Sequence, residues 1–203
     1  MADTNTRIVR EFLEANNFSV FVNRKFQLQK AEPAGRYNID ILAANMQYSA
    51  SEEPLPMRLR AEHMRNVPNA IVDVKGWHSQ RFSPALVSGL PELFHFVSPK
   101  SIEFARSFFN GAPFKSILVI SEESAAEAVW SRTEEILREK GVDHVIEFPT
   151  ILNFLVSYVE INVNYVESEI LQLLRLLKRY GLVKGLQLEL PFRIKGPGAE
   201  SEE

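Results

Sequence analysis

The sequence predicts an α/β fold in which helices flank a mixed β-sheet, with a helical extension at the C-terminal end. Segments whose apolar residues recur at helical spacing alternate along the chain with short segments that are apolar or alternating, as strands are. These segments follow the order helix, three strands, helix, strand, helix and strand, and the chain turns helical after Pro149. With 203 residues, 45% of them hydrophobic and 24% charged, the chain can bury a core of that size.

The first half of the predicted sheet is a helix followed by an antiparallel pair of strands. Residues 4–16 space their apolar side chains as an amphipathic helix does. Residues 18–29 alternate apolar and polar side chains, and residues 37–48 form a second strand-like segment. Turn residues at 31–36 lie between them, so the two strands are expected to form a hairpin.

The third strand, residues 70–77, follows a polar excursion at 49–69 that contains three prolines and predicts a short helix at 57–65. The apolar and polar patterns beyond it predict four further elements. These are a helix at 101–111, a strand at 114–121, a helix at 122–141 that ends on Gly141, and a strand at 143–148.

The C-terminal end is predicted to be a helical extension of the core. Residues 1–148 form the expected core, residues 149–195 the extension, and residues 196–203 an acidic tail of disordered composition. Residues 186–192 could add one more strand. The helix before Gly181 carries an apolar stripe that is most simply core, but whose width also allows a dimer interface: Ile170, Leu171, Leu173, Leu174, Leu176 and Leu177.

Composition narrows the class of protein. The chain has no cysteine, which excludes disulfides and thiolate metal sites and fits the reducing cytoplasm, the expected location. The first residues, MADTNTRIVREF, contain no apolar signal core. The most apolar late segment carries Glu160, Asn162 and Asn164, which is unlike a membrane span.

Charge is distributed unevenly between the two ends of the chain. The net charge of −3 argues against a strongly basic nucleic-acid binder. Residues 1–115 nevertheless carry +3 and residues 116–203 carry −6, and three of the four histidines lie in the first part. A surface that handles phosphate is therefore permitted in the first part.

The third strand, within AIVDVKGWHSQ, carries two charges in apolar surroundings. Asp73 and Lys75 lie two residues apart and therefore point to the same face. Charged side chains are rarely buried unless they are paired or bind a metal. A solvent-exposed ion pair on an edge strand is the simpler explanation, but the preceding AIV argues against full exposure.

A second acid, Asp40, lies on the strand at 37–48. If the two strands are neighbours, the carboxylates of Asp40 and Asp73 converge at one end of the sheet. Mg²⁺ is often held by one or two carboxylates together with waters and substrate phosphate. Lys75 would then lie beside the metal, where it could stabilise developing negative charge or orient the attacking water.

The segments GRYNIDIL and AIVDVKGW together resemble the PD-(D/E)XK nuclease superfamily, which includes restriction endonucleases and archaeal Holliday-junction resolvases. Asp40 matches the first acid of that pattern, and Asp73 and Lys75 match its acid-x-lysine pair. The element order also resembles that superfamily's core, in which a helix precedes three strands, a helix and a strand. The two acids are 33 positions apart, more than a hairpin usually allows, and the excursion at 49–69 accounts for the difference.

This resemblance implies a restriction endonuclease-like fold over roughly residues 4–148 and a nuclease that depends on Mg²⁺ or Mn²⁺. DNA is the expected substrate, with RNA as the alternative. Many members add a glutamate from the first helix, which makes Glu11 a candidate metal ligand and Glu14 its alternative. Many also carry a polar residue soon after the lysine, a place that Gln80, His78 or Ser79 could fill.

Nucleic-acid contacts are expected from two places in the sequence. His78 and Gln80 follow the third strand directly, and Trp77 beside them is expected to be a packing residue. The excursion carries a basic cluster that could reach DNA beside the site or form a solvated helix face: Arg58, Arg60, His63 and Arg65.

Two other functions remain open at this stage. The chain could be a non-catalytic member of the nuclease fold that binds nucleic acid or a protein partner. It could also be a nuclease subunit that requires a separate recognition protein. A homodimer is a further possibility, because cleavage of both strands of a duplex needs two sites.

Overall fold

The computed structural model describes residues 3–22, 39–78, 82–122 and 127–183. They form an α/β fold with a five-stranded mixed sheet between two layers of helices, which confirms the predicted class. The strands are β1 (Phe18–Val22), β2 (Ile41–Asn45), β3 (Asn69–Lys75), β4 (Lys115–Ile120) and β5 (His144–Glu147). The helices are α1 (Thr4–Ala15), α2 (Pro84–Gly89), α3 (Pro99–Phe108), α4 (Glu127–Glu139), α5 (Phe148–Tyr158) and α6 (Glu169–Arg179), with 3-10 helices at Ala61–Asn66 and Pro91–Val97.

The strands lie side by side in sequence order. β2 is antiparallel to both of its neighbours, β1 and β3, and its pair with β1 is the predicted hairpin; β3, β4 and β5 are parallel. Parallel neighbours need crossover connections, usually helical. Here α2, the second 3-10 helix and α3 join β3 to β4, and α4 joins β4 to β5. The carboxyl ends of β3, β4 and β5 consequently meet at one edge of the sheet, where β2 begins.

Each face of the sheet packs against its own hydrophobic core. On the first face, Val72 and Val74 of β3 pack with α1, α5 and α6. On the second face, Ile71 packs with α2, α3 and α4. Because strand side chains alternate, Asp73 and Lys75 belong to the second face together with Ile71.

Local sequence signals account for where the helices begin and end. The Asp3 carboxylate accepts a hydrogen bond of 2.8 Å from the backbone N–H of Thr6 and so caps α1. Gly141 has a φ of +90° just beyond α4, and Gly181 has a φ of +70° just beyond α6. Both are left-handed conformations in which a helix commonly ends on glycine, as the sequence predicts.

The excursion between β2 and β3 takes a path that the sequence did not predict. The backbone of Leu59 donates to Val145 at 2.8 Å, and Val145 donates to Met57 at 2.7 Å, so residues 57–59 pair with the outer edge of β5. The short helix expected nearby is the 3-10 helix at Ala61–Asn66. The excursion therefore crosses from one side of the sheet to the other before β3 begins.

Two further elements, α2 and the 3-10 helix at Pro91–Val97, have no counterpart in the sequence prediction. Both are short and begin on proline. The predicted strand at 186–192 and the predicted tail at 196–203 lie outside the described residues.

The C-terminal helices share the core of the first face. Ile151 and Leu155 of α5 and Leu171 of α6 are buried in the same cluster as Val9 and Phe12 of α1. On the predicted apolar stripe of α6, by contrast, Leu173 is 57% exposed and Leu176 is 38% exposed. The helices at this end thus complete one layer of the fold and leave part of the stripe in solvent.

The described part of the chain contains no helix with the length and apolar character needed to cross a membrane.

Candidate active site

Asp73 and Lys75 form an ion pair at the carboxyl end of β3. The Lys75 Nζ lies 2.8 Å from the Asp73 Oδ2, and the Asp73 side chain is almost completely buried whereas the Lys75 side chain is 22% exposed. β4 covers one side of this strand end, since its register places Ile120 beside Lys75. The lysine thus connects a buried carboxylate to the surface at the strand end.

Asp40 comes to the same place because β2 begins next to the end of β3. The antiparallel register pairs Ile41 with Val72, so Asp40, one residue before β2, lies next to Asp73. The Asp40 backbone N–H donates to the Val72 carbonyl at 3.1 Å, and its Oδ2 accepts a hydrogen bond of 2.9 Å from the Val74 N–H. The Asp40 carboxylate thereby accepts the hydrogen bond of the Val74 N–H, a buried donor for which β2 offers no backbone acceptor.

The surroundings of Asp73 make it a weak acid. Burial raises the pKa of Asp73 from its usual 3.8 to about 7, with the charge of Asp40 and a hydrogen bond between the two carboxyl groups acting in the same direction. The ammonium group of Lys75 opposes this increase through its charge and its hydrogen bond. Near neutral pH the Asp73 carboxyl group is therefore protonated part of the time.

A divalent cation could replace that proton. The two carboxyl groups are oxygen donors close enough to share a hydrogen bond, and a second positive charge would relieve the repulsion between them. Mg²⁺ needs only one or two carboxylates when water and substrate complete its shell. No group of three His, Cys, Asp or Glu side chains able to hold a metal occurs within residues 3–22, 39–78, 82–122 and 127–183. A cation between Asp40 and Asp73 would need water and substrate as its remaining ligands.

The structure does not bring Glu11 to the two aspartates. Glu11 lies on α1, which packs on the first face of the sheet, and its side chain hydrogen-bonds with Ser168 just before α6. Burial raises the pKa of Glu11, while the hydrogen bond with Ser168 lowers it. Glu14 lies one turn further along α1 and forms an ion pair with Arg10 at 2.8 Å. Both glutamates line a polar cavity between α1 and α6.

The basic residues of the excursion also lie away from Asp73. Arg58 pairs along the outer edge of β5, so that β4 and β5 separate it from β3. Its guanidinium lies 4.6 Å from the ring centre of Trp130 on α4. Arg60 follows it and lies near Glu62, with both side chains largely exposed. Because the excursion crosses to the outer edge of β5, the structure places Arg58 two strands away from β3 and not beside Asp73.

His78 lies near the site but on the other face. Its Nε2 is 3.2 Å from the Asn5 Oδ1, and its ring meets the ring of Phe148 edge-on with 4.8 Å between centres. Asn5 also donates to the Gly76 carbonyl at 3.4 Å and so connects α1 to the end of β3. Nothing in the sequence singles out Asn5, an ordinary polar residue in the first turn of a helix. Gln80 and Ser79 lie outside the described residues.

Trp77 lies on the same face as Asp73 and Lys75. Its ring stacks on Phe82, with 6.1 Å between ring centres and 17° between planes, and both belong to the second core. Trp77 therefore packs as expected, although it is only half-buried.

Comparisons of this chain with models of protein families, with curated proteins and with solved structures found no match.

Proposed function

We propose that this chain is a divalent-metal-dependent nuclease that hydrolyses phosphodiester bonds, with DNA as its expected substrate. The observation that carries the proposal is the meeting of Asp40, Asp73 and Lys75 at one end of the sheet. Two acids and a lysine in this relationship are the side chains that the PD-(D/E)XK pattern requires. The order of α1, three strands, crossover helices and a fourth strand also supports a restriction endonuclease-like core in residues 1–148.

Each of the three side chains has a separate role in this proposal. Asp40 and Asp73 would hold Mg²⁺ or Mn²⁺, which when bound polarises a phosphoryl oxygen and lowers the pKa of water. The backbone N–H of Val74 fixes the Asp40 carboxylate, so the ligand is oriented before any cation arrives. Lys75, partly exposed at the strand end, would orient the attacking water and stabilise the negative charge that develops on the phosphate.

The test compares wild type with Asp40→Asn, Asp73→Asn and Lys75→Met on plasmid, linear DNA and RNA, with Mg²⁺ or Mn²⁺. All three variants should lose cleavage by at least about a hundredfold, the size expected when a group that stabilises transition-state charge is removed. Glu53→Gln, which changes an exposed carboxylate in the excursion, should cleave like wild type. Equal residual cleavage in all five proteins would mean that a contaminant is responsible and that the proposed site is inactive.

The second candidate is a non-catalytic member of the same fold that binds nucleic acid or a protein partner. The Asp73–Lys75 ion pair favours it, because the lysine already neutralises the buried carboxylate without a metal. Calorimetric titration with Mg²⁺ and Mn²⁺, with and without DNA, distinguishes the two. Absence of metal binding in both titrations would favour the non-catalytic protein.

A further inference from the structure

We infer that the groove between Trp77 and α2 accepts an unpaired nucleobase of the substrate strand, so that the protein acts on single-stranded or frayed nucleic acid in preference to intact duplex. This inference rests on the proposed function.

The groove has the size and the lining of a ligand site. Its volume is about 860 Å³, and its described lining consists of Gly76, Trp77 and His78 after β3 and Ala85, Leu86, Gly89 and Leu90 along α2 and just beyond it. Ligand pockets in proteins commonly measure roughly 300–1,000 Å³ and are lined mainly by apolar and aromatic side chains. The groove can therefore hold a planar ring system with room to spare.

The groove begins where the candidate active site ends. The backbone N–H of Trp77 donates to the carbonyl of Lys75 at 2.9 Å, so the chain turns back tightly directly after the lysine. Two residues span at most about 7 Å, which is within the reach of one nucleotide. Trp77 also shares its face of the sheet with Asp73 and Lys75. A phosphate beside Lys75 would consequently place a neighbouring base at the groove.

Charge separates the two parts of the proposed ligand. Lys75 supplies a cation at the strand end, whereas the described lining of the groove contains no Asp, Glu, Lys or Arg side chain and one imidazole, that of His78. A nucleotide has the same division into an anionic phosphate and an uncharged aromatic base. An acidic peptide would leave the apolar groove unoccupied, and a purely apolar ligand would make no contact with the ion-paired lysine at the strand end.

Trp77 provides the surface for stacking. Phe82 stacks on the indole and holds the orientation of its ring, while the residue stays half-buried. A base inside a duplex is already stacked and paired, so only an unpaired base can enter without paying the unstacking energy. The groove therefore selects single strands, and both DNA and RNA carry bases that fit.

The test measures binding without divalent metal, so that it does not depend on cleavage. Wild type is titrated into single-stranded DNA and RNA oligonucleotides that carry one 2-aminopurine, and into the matching blunt duplexes. Gly89→Leu places an apolar side chain in the groove, where a Cβ at Gly89 meets no atom within 4 Å. Trp77→Phe retains an aromatic ring, and Trp77→Ala removes it. Ala50→Leu adds the same apolar side chain to an exposed position in the excursion after β2.

We expect wild type to prefer the single strands and to quench the 2-aminopurine. Gly89→Leu and Trp77→Ala should bind single strands about 5- to 150-fold more weakly, the range that follows from the loss of one base–aromatic stack. Trp77→Phe should lie between them and wild type, and Ala50→Leu should bind like wild type. Single-strand binding that Gly89→Leu and Trp77→Ala leave unchanged, or no oligonucleotide binding at all, would overturn the inference.

Cleavage assays on the same proteins separate this inference from the proposed function. If Gly89→Leu cleaves single strands as well as wild type does, the result would support the nuclease and contradict the base site. The opposite result has two parts: wild type cleaves nothing with Mg²⁺ or Mn²⁺, and Gly89→Leu loses single-strand binding. That result would support the base site and contradict the nuclease.

Discussion

Lys75 holds its ammonium group 2.8 Å from the carboxylate of Asp73, yet the pKa of that carboxylate is raised to about 7. Burial outweighs the attraction of the lysine, and the neighbouring carboxyl group of Asp40 adds to the effect. An isolated buried carboxylate would be expected to remain neutral, and a well-paired one to ionise fully. The pair lies between these limits, so a change of pH or of either neighbour should alter its ionisation measurably.

The first prediction concerns stability against pH in Asp73→Asn. The pKa of Asp73 is 3.8 in the unfolded chain and about 7 in the folded chain, so between these values the folded chain binds the proton more tightly. The contribution of Asp73 to the free energy of unfolding therefore falls as pH rises through that window. At about 1.4 kcal/mol for each pKa unit, the change is on the order of 4 kcal/mol at most. In urea unfolding, the free energy of unfolding of wild type should fall by about 1–4 kcal/mol relative to that of Asp73→Asn when the pH is raised from 5 to 8. Glu53→Gln is the control, and a difference between Asp73→Asn and wild type that is independent of pH would contradict the assigned cause.

The second prediction concerns competition between a proton and a divalent cation. If Mg²⁺ is held by Asp40 and Asp73, it must displace the proton that the raised pKa of Asp73 retains. With a pKa of about 7 the ionised fraction of Asp73 rises roughly tenfold between pH 6 and pH 8, and Mg²⁺ affinity should rise by the same factor. Calorimetry in buffers of different ionisation enthalpy should detect proton release near pH 6.5. Binding with no pH dependence would place the metal elsewhere.

The sequence was sufficient to predict this part of the fold because the signals are local. Asp73 and Lys75 lie on one strand, and strand alternation alone places them on the same face. Asp40 joins them because a three-stranded antiparallel unit brings the start of β2 to the end of β3. The α/β class followed from the alternation of helical and strand-like segments, and the structure shows it.

Glu11 and the arginines could not be placed by such signals. Glu11 occupies a helix whose face toward the sheet is decided by Val9 and Phe12, and this orientation points it to Ser168 instead of the site. Arg58 lies in a segment whose polarity and prolines predict only a connection. Its pairing with β5 depends on Val145, which is 87 positions further along the sequence. Contacts at that separation leave no mark in local composition.

The third prediction concerns Lys75→Met, which retains the length of the side chain without its charge. Burial raises the pKa of Asp73 and Lys75 opposes it, so the pKa of Asp73 should rise further in this variant, as carboxyl-carbon NMR would report. At pH 8 the loss of the partner of a buried carboxylate should destabilise the fold by about 3 kcal/mol, and by much less at pH 5. Lys115→Met is the matched control, since Lys115 and Asp143 form a half-exposed pair at 3.4 Å that is worth at most about 1 kcal/mol. Equal losses in the two variants at pH 8 would argue against a special role for Lys75.

The fourth prediction concerns the close approach of α1 to the end of β3. A Cβ added at Gly76 would lie 1.9 Å from the Asn5 Nδ2, so Gly76→Ala forces the asparagine side chain away. The hydrogen bonds of Asn5 with the Gly76 carbonyl and with His78 should then be lost, at about 1–2 kcal/mol in unfolding free energy. Asn5→Ala should lose a similar amount, and the double variant should be no less stable than Asn5→Ala alone. Additive losses in the double variant would show that the clash involves other atoms.

The fifth prediction concerns His144, which begins β5 and is buried. Its Nδ1 lies 2.9 Å from the Pro56 carbonyl, whereas its Nε2 has no hydrogen-bond partner among the described residues. Burial lowers the pKa of His144 below 6.5, with Lys115 and Arg138 acting in the same direction and the hydrogen bond with Pro56 and the charge of Asp143 against it.

The sign of the His144 effect is opposite to that of Asp73. Between the lowered pKa of folded His144 and the unfolded pKa of 6.5, the unfolded chain binds a proton at this residue and the folded chain does not. The contribution of neutral His144 to the free energy of unfolding is therefore fully present above pH 6.5 and is lost as pH falls. His144→Asn retains a donor at the position of Nδ1 and cannot titrate. In urea unfolding between pH 7.5 and pH 5, wild type should therefore lose stability relative to His144→Asn. The exposed His95→Asn should follow wild type throughout, and a His144→Asn curve parallel to that of wild type would mean that the buried imidazole does not control this part of the pH profile.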